Sequence, residues 1–154
     1  MYETLLREAE KECIEVFYLP LQGKLKGLYY DKAIAINTNI ETTAEKTCIL
    51  AEELGHHYTT VGNILNQSKI QNRRQERRAR AWAYEKLVPL DKLVEAYKKG
   101  IRARHELAEY LGVTEQFLCD ALKYYKEKYG SYCCVRECFI NFEPFRIFEG
   151  FNFF

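Results

Sequence analysis

The sequence predicts an α+β fold, mostly helical, with a small antiparallel sheet and a helix-turn-helix-like segment toward the C-terminus. Three observations carry that prediction. Several long stretches repeat apolar residues at helical spacing. Two short stretches near the N-terminus are β-branched and aromatic and are bounded by glycines. A Gly followed closely by a Thr divides the third quarter of the chain as helix caps do. The 154 residues read as a single domain, with sheet and central helices in 1–89, a helical subdomain in 90–130 and an aromatic, β-like tail in 131–154.

Taken in order, Tyr2 to Cys13 predicts an amphipathic helix with Leu5, Leu6 and Ala9 on one side. Ile14 to Leu21, Leu28 to Tyr30 and Ala33 to Ile36 predict the antiparallel strands, with Asp31-Lys32 as a tight turn. Thr42-Thr43-Ala44-Glu45 has the form of a capping box, in which the Thr hydroxyl and the acid satisfy free N–H groups of a helix start. The helix it opens runs through CILAEELGHHYTT, with Thr47, Leu50, Ala51, Leu54 and Tyr58 as its buried stripe. Val61 to Asn72 lacks periodicity and predicts a loop or short helix. A second helix begins near Asn72 and stops at Pro89. On its wheel Gln75, Ala79, Trp82 and Ala83 face inward, while Arg73, Arg74, Arg77, Arg78 and Arg80 form a face read as solvated surface.

Asp91 to Lys99 predicts a shorter helix. Arg102 to Leu111 and Thr114 to Tyr129 form the helix-turn-helix outline, with Gly112 as C-cap and Thr114 as N-cap. Glu115 and Asp120 occupy the second helix where phosphate contact would want bases, so packing is its expected use. Tyr132 to Phe154 alternates aromatic and polar residues around Pro144 as short strands do, with Phe145, Phe148, Phe151, Phe153 and Phe154 as an aromatic tail.

Composition narrows the function classes. With 23 basic and 22 acidic residues the formal charge is +1, so no global field favours nucleic acid or membrane. No apolar run is long enough to span a bilayer, and the N-terminus is charged, so a cytoplasmic location is expected. The six cysteines are then thiols, with Cys13, Cys48 and Cys119 expected in the core, and Cys133, Cys134 and Cys138 lack the second pair of a zinc site.

The chemistry concentrates at Glu52-Glu53-Leu54-Gly55-His56. Glu52 and His56 are one turn apart, stacked on the same side of the helix with Glu53 beside them. That is the spacing of HExxH, in which the i, i+4 pair holds zinc and the intervening acid acts on water. Here the first position is Glu, a harder ligand that also suits manganese or iron. His57 lies about 100 degrees from His56 on the wheel and ranks below Glu52 as a donor. Glu76 sits beside Ala79 and Ala83 at the edge of an apolar face, and an acid there wants a partner, which a metal on the first helix would provide. A second candidate, His105-Glu106-Leu107-Ala108-Glu109, has His105 and Glu109 pointing away from the core face of Ala103, Leu107, Tyr110 and Leu111, as surface residues do.

The segment from Glu45 to Pro89 resembles the ImmA/IrrE family of metallo-endopeptidases. There a helix bearing HELGH precedes a helix of the form E-x-x-A-x-x-F-A and a closing L-x-P. Here Glu76, Ala79, Trp82 and Ala83 take the second pattern, with Trp for Phe, and Leu87-Val88-Pro89 the third. The flanks KGLYYDKAIAIN and ELAEYLGVTEQFL resemble the phage and mobile-element branch, so the likeness covers nearly the whole chain. It implies a zincin-like domain whose metal, zinc with manganese or iron as alternatives, is held by Glu52, His56 and Glu76. Glu53 is then the general base of metal-assisted amide hydrolysis, and the substrate is a helix-turn-helix repressor. Two other classes compete: a catalytically silent protein that grips the repressor, and a DNA-binding module using the arginine helix. Direct nucleic-acid binding is not the expected role.

Overall fold

A computed structural model describes residues 1–60 and 69–150. Among them are α1 (Tyr2–Lys11), β1 (Glu15–Leu19), β2 (Gly27–Tyr30), β3 (Ala33–Asn37), α2 (Thr43–Thr59) and α3 (Lys69–Leu87). These are followed by α4 (Leu90–Lys98), α5 (Arg104–Leu111), α6 (Glu115–Tyr129), β4 (Tyr132–Val135), β5 (Cys138–Phe142) and β6 (Phe145–Glu149). The α+β class therefore holds. The backbone divides into two compact units, Met1–Lys86 and Leu87–Phe154. The loop or short helix expected at Val61 to Asn72 falls largely outside the described residues, as do Phe151, Phe153 and Phe154 of the tail. The second helix starts at Lys69 rather than near Asn72.

In the first unit the strand order is β1-β3-β2. The β2–β3 pair is the expected antiparallel hairpin, and Asp31 and Lys32 turn it with φ of 43 and 59 degrees, the doubly positive geometry that matches strand twist. The uniformly antiparallel expectation needs correction at β1, which pairs parallel to β3. The reason lies in composition and in the loop. Ala-Ile-Ala-Ile of β3 carries no charge and takes the centre, while Glu15, Phe17, Tyr18 and Leu19 tolerate an exposed edge. Residues 20–26 then carry the chain to the opposite edge. Buried Asn37 pins that loop, its side-chain amide donating to the carbonyls of Leu25 at 2.8 Å and Leu21 at 3.3 Å.

The core of this unit forms where the inner sheet face meets α1 and α2. Ile34 and Ile36 of β3, Leu5 and Ala9 of α1, and Leu50 and Leu54 of α2 are all fully buried. Cys13 does not join them, contrary to the sequence expectation. Helix α1 ends at Lys11, the chain turns through Cys13 at φ 58 degrees, and Ile14 takes the inward place. Cys48 is buried as expected and Cys119 is half-buried.

In the second unit the caps fall where the sequence places them. Gly112 closes α5 in the left-handed conformation, and the Thr114 hydroxyl accepts from Phe117 N–H at 3.1 Å to open α6. Strands β4, β5 and β6 form an antiparallel sheet in that order. Cys138, Ile140 and Phe142 of β5 face inward, with Phe142 stacked on Tyr125 at 5.8 Å. Buried Tyr125 donates its hydroxyl to the Val88 carbonyl at 2.8 Å.

Candidate active site

Helix α2 begins as its cap predicts: the Thr42 hydroxyl accepts from Glu45 N–H at 3.2 Å. Thr47, Leu50, Ala51 and Leu54 are buried, which turns Glu52, Glu53 and His56 toward the sides of the helix where they remain partly accessible. Tyr58 departs from the expected stripe. It is 37% exposed and stacks on Trp82 of α3 with centroids 5.0 Å apart.

The approach of α3 depends on Gly55. A methyl group there would collide with the backbone carbonyl of Ala79, so the two helices cross with only hydrogen between them. Ala79 and Ala83 are fully buried on the facing side. The crossing carries Glu76, one turn before Ala79, to His56, the residue after Gly55. His56 Nε2 lies 3.3 Å from Glu76 Oε1, with the histidine side chain 20% and the glutamate 52% exposed. The hydrogen bond that His56 donates to the Glu76 carboxylate raises the His56 pKa against the opposing effect of burial, and the same bond lowers that of Glu76.

Glu53 lies against the free edge of the sheet. Gly27 makes room for it: a Cβ at that position would stand 2.7 Å from Glu53 Oε1. The backbone N–H of Tyr29, on outer strand β2, donates to the Glu53 carboxylate. Burial is the largest influence on Glu53 and pushes its pKa up to about 7. The neighbouring His56 pulls it down and the carboxylates of Glu52 and Glu76 push it up. An acid titrating near neutrality beside a histidine–carboxylate pair suits proton transfer.

The expected site residues are therefore only partly assembled. His56, Glu76 and Glu53 come together. Glu52 is near enough for its charge to act on Glu53, His56 and Lys26. Yet among the described residues no three His, Cys, Asp or Glu side chains are grouped so as to hold a metal ion. The donor pair itself has suitable chemistry. Two ligands on one tetrahedral zinc, each at about 2.0–2.2 Å, stand about 3.4 Å apart, close to the separation found for His56 and Glu76.

His57 is committed elsewhere. Its Nδ1 is 2.9 Å from the Tyr29 hydroxyl, and its Nε2 is 3.3 Å from Glu12 Oε2 at the end of α1. No sequence spacing marks Glu12 or Tyr29 as partners of His57. Gly27 does carry a sequence signal, because a glycine opening an aromatic strand marks a close approach. His105 and Glu109 are both exposed, as expected.

Against this geometry, a family model described as the IrrE N-terminal-like domain, a peptidase family, matches residues 9–123. The chain belongs to that family. As a member of the IrrE N-terminal-like peptidase family it has a metallopeptidase-type function, and α2, α3 and the sheet all lie within the match. A search of curated proteins gives no match. Among the described residues of this family member, no helix is long and apolar enough to cross a membrane.

Proposed function

We propose that the protein is a metal-dependent endopeptidase whose general base is Glu53 and whose metal ligands include His56 and Glu76. The observation that carries this reading is the convergence of His56 and Glu76 at 3.3 Å next to buried Glu53. Glu52 is the third donor in this reading, on the strength of its place one turn before His56. A bound divalent ion, zinc or the harder manganese or iron, supplies Lewis acidity toward the scissile carbonyl and toward water.

The remaining steps belong to the chain. Glu53 accepts a proton from the attacking water and delivers it to the departing amine nitrogen, so one carboxyl serves both half-reactions. The Tyr29 N–H and the Gly27 gap fix that carboxyl in place. His57, tied to Glu12 and the Tyr29 hydroxyl, braces strand β2 against α2.

The finer reading, cleavage of a phage or mobile-element helix-turn-helix repressor in the cytoplasm, is supported by the resemblance of the KGLYYDKAIAIN and ELAEYLGVTEQFL flanks. One observation favours a second reading, a silent protein that binds such a repressor without cutting it: no three-donor group forms among the described residues. A peptide library incubated with the protein and zinc or manganese, with new termini found by mass spectrometry, separates the two. Cleavage by the wild type and none by Glu53→Gln is expected. Equal fragments from both proteins, or none with either metal, would contradict a Glu53-based peptidase.

A further inference from the structure

The helix that supplies Glu76 also carries the most concentrated charge in the molecule. Residues 73–80 hold five arginines against one glutamate, a local charge of +4 on a chain whose net charge is +1, which leaves −3 for all other residues. The five arginines are exposed. Like charges three and four residues apart on a helix repel, as Arg73 with Arg77 and Arg74 with Arg78 do here. Among the described residues Arg73, Arg74, Arg77 and Arg78 have no carboxylate partner to offset that repulsion. Such an arrangement lowers helix stability unless something outside the chain neutralises it.

The arginines are not equivalent. Arg73, Arg77 and Arg80 share one stripe with Glu76, and with Asn72 and Arg74 these residues line a groove of about 620 Å³. Glu76 connects that groove to the site through its contact with His56. Arg80 acts electrostatically on the Glu76 carboxylate and so belongs to the site's immediate surroundings. Arg78 lies outside the groove.

We propose that this groove binds an acidic, extended segment of the peptide substrate, with Arg73 and Arg77 reading glutamate or aspartate side chains to one side of the scissile bond. The inference rests on the peptidase reading of the adjacent site and adds a substrate class to it. Arg73 and Arg77 are about 6 Å apart along the helix axis, and acidic side chains two residues apart, on the same face of an extended chain and about 6.6 Å from each other, match that span. Guanidinium forks suit carboxylates geometrically. A nucleic-acid backbone fits less well, because its evenly spaced phosphates would meet the Glu76 carboxylate in the middle of the stripe. A peptide can instead turn a neutral backbone amide toward Glu76 and keep its charges for the arginines.

The test is fluorescence anisotropy on the full chain with three labelled probes: a short synthetic peptide carrying paired glutamates, the same peptide with glutamines, and a DNA duplex. The glutamate peptide should bind in preference to both others. Arg73→Gln with Arg77→Gln should weaken its binding about tenfold, and Arg7→Gln with Arg78→Gln, which removes the same charge from exposed positions outside the groove, should do so less than about twofold. Should the first double variant fail to fold, Arg73→Glu with Arg77→Glu, assayed against a lysine version of the peptide, asks the same question with the charges exchanged. Equal losses in the groove double and in Arg7→Gln with Arg78→Gln, tighter binding of the duplex, or no binding of the glutamate peptide would overturn the proposal. Cleavage assays keep the two readings apart. Equal cleavage of glutamate and glutamine peptides removes the acidic preference and leaves the peptidase, whereas selective binding with no cleavage removes the peptidase and leaves the groove.

Discussion

Two five-residue stretches of almost the same composition sit on two helices with different outcomes. Glu52 to His56 of α2 reads EELGH, and His105 to Glu109 of α5 reads HELAE. His56 is mostly covered and lies 3.3 Å from an acid of another helix, whereas His105 and Glu109 are exposed. Ligand-type residues are present in both, so they do not make the difference. The Glu and His at positions one and five are exchanged, and position four is Gly in α2 and Ala in α5. Without a Cβ, Gly55 lets α3 approach close enough to bring Glu76 to His56. A site of this kind is defined by the element that crosses the motif as much as by the motif itself.

Breaking the first stretch should have large effects, and breaking the second almost none. Replacing the proposed base, Glu53→Gln, should reduce peptide cleavage by about 10²–10⁴-fold with the fold intact by circular dichroism. Making α2 resemble α5 at the decisive position, Gly55→Ala, should cost about 3 kcal/mol in denaturant unfolding, because the new methyl meets backbone rather than a side chain that can move aside. Glu53→Gln should also reveal the stability cost of burying an acid. With its pKa raised to about 7, the Glu53 contribution to stability is fully present below the ordinary carboxylate value and is lost as pH rises through about 7. In metal-free protein the variant should therefore be about 1–3 kcal/mol more stable than wild type at about pH 8 and gain nothing at about pH 4.

The histidine–acid pair supplies a smaller, pH-bounded term. His56, raised by Glu76, stabilises below the ordinary histidine value and loses that contribution as pH rises through its raised value. Glu76, lowered by His56, stabilises above the ordinary carboxylate value and loses it as pH falls through its lowered value. The pair in metal-free protein thus contributes most between pH 4.5 and 6.5, the two unperturbed values. Because Glu76 is half exposed, the difference from Glu76→Gln in thermal melts across that window should stay below about 1 kcal/mol. His105→Ala should change neither cleavage nor stability by more than about 0.5 kcal/mol.

What could be read from the sequence was local chemistry. The Thr42 and Thr114 caps, the Asp31-Lys32 turn and the buried face of α2 from Thr47 to Leu54 depend on residues within a few positions of one another, and each forms as its spacing implies. The need of Glu76 for a partner was also legible, because an acid beside Ala79 and Ala83 is conspicuous on a wheel. Long-range placement was not legible. Nothing in Glu15 to Leu19 states that β1 joins the far side of β3, since strand order depends on which strand is apolar enough for the centre. Glu12 and His57 are 45 residues apart, so their pairing has no sequence spacing to announce it. The helical wheel likewise put Glu52 level with His56 but left open whether it would join a three-donor group.

The central claim is that His56 and Glu76, brought together across α2 and α3, hold a metal. Elemental analysis after reconstitution with zinc or manganese and removal of excess tests it directly, on wild type and on Glu52→Ala, His56→Ala, Glu76→Ala and His105→Ala. About one equivalent per chain is expected in wild type and His105→Ala, with clear loss in the other three. No metal in the wild type, or equal metal in all five proteins, would contradict it.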